Sequence, residues 1–447
     1  MPQLVLPHRE YVDHALLAEA HATALAIGAR LKDAATLRAA MQAAPQQSAM
    51  PELLTWYPLS LAQGDTGLAL VCATFARVLQ NDEWYHLGHS HLSKAVQHIQ
   101  SCRPAALSVT SLFGGLVGVA FATALLRGHS SRYTALLASL EVKIHSYGRV
   151  MVHKIREQHC GFEQHQYDLI SGLTGLGTYL LTRSISHENQ ALLADVLACF
   201  VSLSEECDGV PNWYCEQVLF DKQQQPLYRG GYVNCGMAHG VPGMLALMAL
   251  ARLAGFGDAS LDESLARGAR WLVNHRVQGP WGMTWPSFYP VDPTESVSAP
   301  PPALHTGWCY GAPGIARSLW LVGKALANAD LCQVADDAMA VVFATPQEQR
   351  GLVGPGLCHG QSGLLHITTC FAQDTCAQLY LNALPALLSE LLARRDDHAL
   401  LTYCDVEATG KRVDDPGFLN GAPGIALALL SLTTSTTLGW DRVLLVR

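Results

Sequence analysis

A four-residue unit, glycine–x–x–glycine followed by an apolar stretch, recurs along the chain. It reads GDTG at Gly64, GLVG at Gly115, GLTG at Gly172, GVPG at Gly240, GAPG at Gly311, GQSG at Gly360 and GAPG at Gly421. Successive first glycines lie 51, 57, 68, 71, 49 and 61 residues apart. One such unit carries no information; seven, each leading into Ala, Leu and Val, define a repeat. Pro242, Pro313 and Pro423 stand just before the second glycine, where a fixed φ suits the first turn of a helix. The stretches that follow, such as MLALMALARLA and IALALLSL, are apolar on nearly all sides, so these helices are buried all round.

The spacing leaves room for a second, amphipathic helix in each repeat, and Glu263–His275 and Asp330–Phe343 have that character. Seven inner and seven outer helices predict an all-α fold, an α/α toroid or double α-barrel, with loop or small β insertions. The alternative is an open solenoid, but open arrays keep a polar face on their terminal helices, and these helices lack one. The whole chain, residues 1–447, is expected to be one domain, a length that a repeat-built barrel can reach. Its composition, 49% hydrophobic and 15% charged, supplies a large core. Two stretches break the pattern. Glu205–Val233, with Pro211, Pro226 and Gly230-Gly231, reads as a loop or small β excursion. Gln278–Ala303, with seven prolines, reads as a long non-helical connection.

The net charge of −8 and the absence of a Lys/Arg stripe argue against a nucleic-acid partner. The N-terminus lacks the basic start and unbroken apolar run of a secretion signal. The most apolar stretch, Met244–Gly255, contains Arg252 and is shorter than the roughly 20 residues of a membrane span. A soluble, cytoplasmic protein is expected, and its 13 cysteines, without a framework spacing, read as reduced thiols.

The repeat supplies a coordinate for polar residues. Immediately before the first glycine stand Gln63, Gly114, Ser171, His239, Tyr310, His359 and Asn420; one position earlier stand Ala62, Phe113, Ile170, Ala238, Cys309, Cys358 and Leu419. Equivalent repeats put all of them where the inner helices begin. Cys309 and Cys358 share a position in adjacent repeats and His359 follows directly. Two thiolates and an imidazole make a zinc set with a fourth position open, the mark of a catalytic site. A free cysteine is otherwise a small buried apolar residue, which suits Cys72, Cys199, Cys332 and Cys370 in their helical contexts. His239 shares the register of His359 and reads as a fourth ligand, a general acid/base or a core histidine. Asp168, in YDLISG, has a different offset, so a surface or capping carboxylate competes with a site role. Tyr310 and Asn420 share the His239 register and could line a cavity. His86, His89 and His91, in WYHLGHSHL, have no supporting register and read as a solvent-facing helix segment.

The strings NCGMAHGVPG, GWCYGAPGIA and LCHGQSG resemble those of the lanthionine synthetase C-like family, the lantibiotic cyclases. The resemblance covers essentially the whole chain and implies the same α/α toroid. It implies Zn2+ held by Cys309, Cys358 and His359, His239 as the catalytic histidine, and Asp168 and Tyr310 as catalytic-site residues. At one position the pattern departs: relatives carry arginine four residues before the first zinc cysteine, and this chain has His305. The implied activity joins cysteine thiols of a dehydrated precursor peptide to dehydroalanine or dehydrobutyrine, forming lanthionine or methyllanthionine thioether rings. The implied partners are that precursor and a separate dehydratase, and the resemblance leaves open an export transporter and a membrane-bound biosynthetic complex. Competing readings are an enzyme that adds glutathione to dehydroamino acids, and a non-enzymatic peptide-binding protein with structural zinc. Protein prenyl transfer is a more distant one, disfavoured because that chemistry uses an Asp, Cys, His set.

Overall fold

A computed structural model describes residues 10–103, 108–158, 161–207, 210–216, 228, 230–291, 300–435 and 438–447. In chain order the helices are α1 (His14–Lys32), α2 (Ala34–Gln47), α3 (Asp65–Leu79), α4 (Asp82–Ser101), α5 (Leu116–Arg127), α6 (Thr134–Gln158), α7 (Gln164–Tyr167) and α8 (Leu173–Thr182). There follow α9 (His187–Leu203), α10 (Val241–Leu253), α11 (Ala259–Asn274), α12 (Ala312–Ala325), α13 (Ala329–Ala344), α14 (Gln361–Thr375), α15 (Gln378–Leu392) and α16 (Ala422–Thr433).

Each glycine repeat starts one helix: α3, α5, α8, α10, α12, α14 and α16 are N-capped by Gly64, Gly115, Gly172, Gly240, Gly311, Gly360 and Gly421. Their N-cap glycines have no side chain to cap with, unlike α4, α9, α11 and α13, whose caps are Asn81, Ser186, Asp258 and Asn328. The first-turn N–H groups of the glycine-started helices are instead taken by carbonyls of the preceding loop. Gln361, Ser362 and Gly363 donate to Gly354, Pro355 and Gly356, Gly175 donates to Asp168, and Ala422 donates to Asp415. The loop therefore folds back beneath the helix start, and this explains the second glycine. A Cβ there would lie 2.0 Å from the Leu357 carbonyl oxygen at Gly363, 2.3 Å from that of Trp308 at Gly314 and 2.3 Å from that of Met237 at Gly243. Gly311 adds a second requirement, since its φ of 96° lies in the left-handed region.

The chain forms two compact units, Met1–Ser108 with Phe113–Ala138 and Gln347–Asp441, and Val109–Leu112 with Ser139–Pro346 and Arg442–Arg447. In the first, α14 packs on α16, α16 on α3 and α3 on α5. Two of its outer partners follow their inner helix in sequence, α4 against α3 and α15 against α14. The partner of α16 is α1, from the opposite end of the sequence, whose His21 Nδ1 lies 3.3 Å from Thr433 Oγ1. In the second unit α10 packs between α8 and α12, and α9, α11 and α13 follow α8, α10 and α12 as their outer partners. Of the two outer stretches expected from sequence, Glu263–His275 begins four residues inside α11 and ends one residue past it, and Asp330–Phe343 lies within α13. Burial follows the patterning: every residue of α12 from Ala312 to Gly323 is buried. On α11 only one stripe is buried, including Leu261, Leu265, Gly268, Ala269 and Leu272.

Short antiparallel pairs interrupt the helices: β1 (Glu206–Cys207) with β2 (Val210–Pro211), β3 (Tyr232–Asn234) with β6 (Phe288–Pro290), and β4 (Val277–Gln278) with β5 (Met283–Thr284). In the first unit β7 (Asp405–Val406) pairs with β8 (Arg412–Val413). The two irregular stretches thus join each other through β3 and β6; residues 208–209, 217–227, 229 and 292–299 of them lie outside the described residues. His89 is exposed on α4 as expected, but His91 is not. It is buried, with Nδ1 2.7 Å from Asp65 Oδ1. Burial works against the Asp65 carboxylate, yet hydrogen bonds from His91 and Trp56 and the charges of His91 and Lys94 outweigh it and hold its carboxyl below the usual range. No described helix is long and apolar enough to cross a membrane.

Candidate active site and metal ligands

In the second unit the loop before α8 and the loop before α10 meet edge to edge, with the Leu169 N–H donating to the Ala238 carbonyl at 3.1 Å. That contact sets Asp168 against His239. The His239 Nδ1 lies 2.6 Å from Asp168 Oδ2. Asp168 Oδ1 accepts from the Ser171 and Gly172 N–H groups at 2.7 and 2.9 Å, where the positive end of α8 favours a carboxylate. Asp168 is thus both a cap and the partner of His239; the surface alternative fails, since its side chain is 2% exposed. The His239 side chain is 31% exposed. An ionised carboxylate only accepts, so Nδ1 carries the hydrogen and Nε2 is the nitrogen left for chemistry.

A second group forms around Tyr310, on the loop before α12. Its hydroxyl accepts from Asn234 Nδ2 at 3.1 Å, and the same amide donates to Gln164 Oε1 at 2.9 Å. Asn234 Oδ1 accepts from the Gly236 N–H at 2.8 Å, so this fully buried amide is fixed at both ends. The Tyr310 ring rests against Phe288, which faces Asn234 across the β3–β6 ribbon. A Cβ at Gly236 would lie 2.6 Å from both the Cys309 carbonyl oxygen and the Tyr310 ring, so this glycine lets the two loops close up. Cys309 itself is buried, three residues ahead of α12, on a loop anchored by the Trp308 Nε1–H donating to the Leu444 carbonyl at 2.9 Å. His305 is half-buried on this loop.

Cys358 and His359 occupy the corresponding place ahead of α14 in the first unit. The Leu357 and Cys358 N–H groups both donate to the Leu419 carbonyl, tying this loop to the one before α16. Both side chains are half-buried. Asn420 shares the second of these loops and its Oδ1 is buried. Asp405 on β7 is a further neighbour: burial pushes its carboxyl up, while the charge of His359 pulls it the other way.

The donor chemistry fits zinc. Cys309 in the second unit, and Cys358 and His359 in the first, are each of a type that zinc takes as a ligand, and neither cysteine is in a disulfide. Both thiols stand just ahead of a helix N-terminus, where the helix field favours a thiolate. Sequence register had pointed to His239, Tyr310, Cys309, Cys358 and His359. It missed Asn234, Gln164 and Asp405. Asn234 had a signal, since it opens the NCGMAHG string, whereas Gln164 and Asp405 lie outside every repeat.

The sequence model of the family described as lanthionine synthetase C-like protein matches residues 55–445, and the chain belongs to that family. Among individual relatives it is similar to the nisin biosynthesis protein NisC of Lactococcus lactis subsp. lactis. The two are 26% identical over 399 residues, which are 87% of this chain and 89% of that protein. In structure it is similar to nisin cyclase, with a TM-score of 0.73 at 22% identity over 87% of this chain and 92% of the other. The fold is therefore the α/α toroid expected from the glycine repeats.

Proposed function

We propose that the protein is a zinc-dependent lanthipeptide cyclase, with the whole chain acting as one catalytic domain. Cys309, Cys358 and His359 would hold the ion. When bound, zinc supplies the deprotonation of a substrate cysteine thiol near neutral pH. The observation that carries the reading is the His239–Asp168 pair, one buried carboxylate holding one accessible imidazole at 2.6 Å. Thioether formation needs such a group. The substrate sulfur bonds to the β-carbon of a dehydroalanine or dehydrobutyrine, the double-bond electrons move toward the neighbouring carbonyl, and the α-carbon must then take a proton. His239 Nε2 first takes up the proton released by the substrate thiol and then delivers a proton to the α-carbon, while Asp168 stabilises the intervening imidazolium and keeps the ring oriented. The Tyr310 hydroxyl, held by Asn234, is the candidate hydrogen-bond donor to the developing enolate oxygen.

The substrate is a precursor peptide already dehydrated at serine and threonine, so a separate dehydratase acts before this enzyme; a cytoplasmic setting suits a peptide made and modified before export. The test is the count of free thiols, by alkylation and mass spectrometry, in a dehydrated precursor incubated with the protein and zinc. Thiol loss that depends on Cys358 and His239 supports the reading. No loss with the peptide, but adducts when glutathione is offered to the same dehydrated residues, would replace it with small-thiol addition. No reaction in either arm would leave a binding protein.

A further inference from the structure

A second cluster of metal-ligating side chains lies in the first unit, built from residues that the proposed chemistry does not use. His366 and Cys370 are one turn apart on α14, and Asp441 sits in the short turn Trp440–Leu444. All three are buried and their ligand atoms lie within 4.8 Å of one another. We propose that His366, Cys370 and Asp441 form a closed structural site for a divalent transition metal of the zinc class.

The geometry distinguishes such a site from a simple ion pair. The His366 Nε2 lies 3.2 Å from Asp441 Oδ2 and 3.7 Å from Cys370 Sγ. A ring nitrogen has one hydrogen and one direction for it, so it cannot serve two acceptors well. The other ring nitrogen, Nδ1, is buried without a partner, so all the polar interactions of the ring converge on the shared point. Around a tetrahedral zinc with ligand distances of about 2.0–2.3 Å, nitrogen and oxygen are about 3.3 Å apart and nitrogen and sulfur about 3.6 Å. The observed separations match those edges. A thiolate, a carboxylate and a neutral imidazole also balance a dication, which avoids leaving net charge in an enclosed site. The Trp440 ring, 4.6 Å from the His366 ring, shields the site from water. The site would fasten Asp441 to α14. Unlike the half-buried Cys358 and His359, this set has no accessible edge, so its role is structural.

The inference is independent of the cyclase reading, and metal content tests it. Two zinc ions per chain are expected for the protein as purified, one for the Cys309→Ala/Cys358→Ala variant, one for Cys370→Ala and none for the triple variant. Absence of zinc from the folded Cys309→Ala/Cys358→Ala variant overturns the proposal, as does an unchanged count in folded Cys370→Ala. A single zinc that survives loss of Cys309 and Cys358 but not of Cys370 keeps this site and removes the other. Cobalt(II) loaded into the Cys309→Ala/Cys358→Ala variant decides the matter should Cys370→Ala fail to fold. A thiolate-to-cobalt charge-transfer band with tetrahedral d–d absorption supports the site, and its absence overturns it.

Discussion

Asp168 does two things with one carboxylate, and its two oxygens allow them to be separated. Oδ1 caps α8 and Oδ2 orients His239. Asp168→Asn can keep the cap through its amide oxygen while offering an N–H to Nδ1, which moves the imidazole hydrogen to Nε2. Ring closure is expected to slow by about 10²–10⁴-fold, while stability, measured by thermal melting, changes by only about 1 kcal/mol. Asp168→Ala removes the cap as well and lowers the melting temperature further. Asn234→Asp turns a donor into an acceptor beside Tyr310, so the tyrosine hydroxyl must donate to it instead of accepting. About a tenfold loss in kcat with little change in KM is expected, and in the Tyr310→Phe background the same change has little further effect. These two residues also show what register can and cannot reveal. His239 and Cys309 occupy fixed offsets from a glycine that recurs in the sequence, so their place at a helix start follows from counting. Asp168 reaches His239 because two loops touch, and no periodicity encodes that contact. Asn234 acts through Gln164 on a single-turn helix and Phe288 on a strand some fifty residues away.

At the scale of the element, the glycine pair is a device for starting a helix without a side chain at the N-cap position. Loop carbonyls take the place of the cap, and they reach the helix because the second glycine has no Cβ. Gly363→Ala would put its Cβ 2.0 Å from the Leu357 carbonyl oxygen, a rigid neighbour. A cost of about 3 kcal/mol or more is expected, read as a drop of several degrees in melting temperature. Gly148→Ala, within α6, meets only the ends of the Leu192 and Leu176 side chains at 2.9 and 3.0 Å and gains helix propensity. Its expected change is within about 1 kcal/mol of zero. The repeat and the burial of the inner helices were legible because one local geometry, used seven times, imposes the same two glycines each time. His91 was misread because its partner, Asp65, is on a different helix, and the lack of a supporting register was taken to put the whole histidine cluster at the surface.

At the scale of the whole molecule, the number of inner helices followed from the sequence but the origin of the last outer one did not. Ala20, Ala24, Ile27 and Leu31 form the buried stripe of α1, and α16, which it covers, is apolar on every side. Nothing in the repeat period announces that this partner precedes the first repeat. Removing residues 1–33 is expected to uncover α16, giving a protein that aggregates or melts at a much lower temperature. A peptide of residues 14–32, added in trans, should recover part of that loss, and a thermal melt with a dye that reports exposed apolar surface measures both. The pairing also bears on how the chain is made. A ribosome delivers α1 well before α16, so during most of synthesis α1 has no surface to settle on and α16 does not yet exist. The first unit cannot finish folding as it emerges; it must wait, its early helix exposed, until the later segment arrives to receive it.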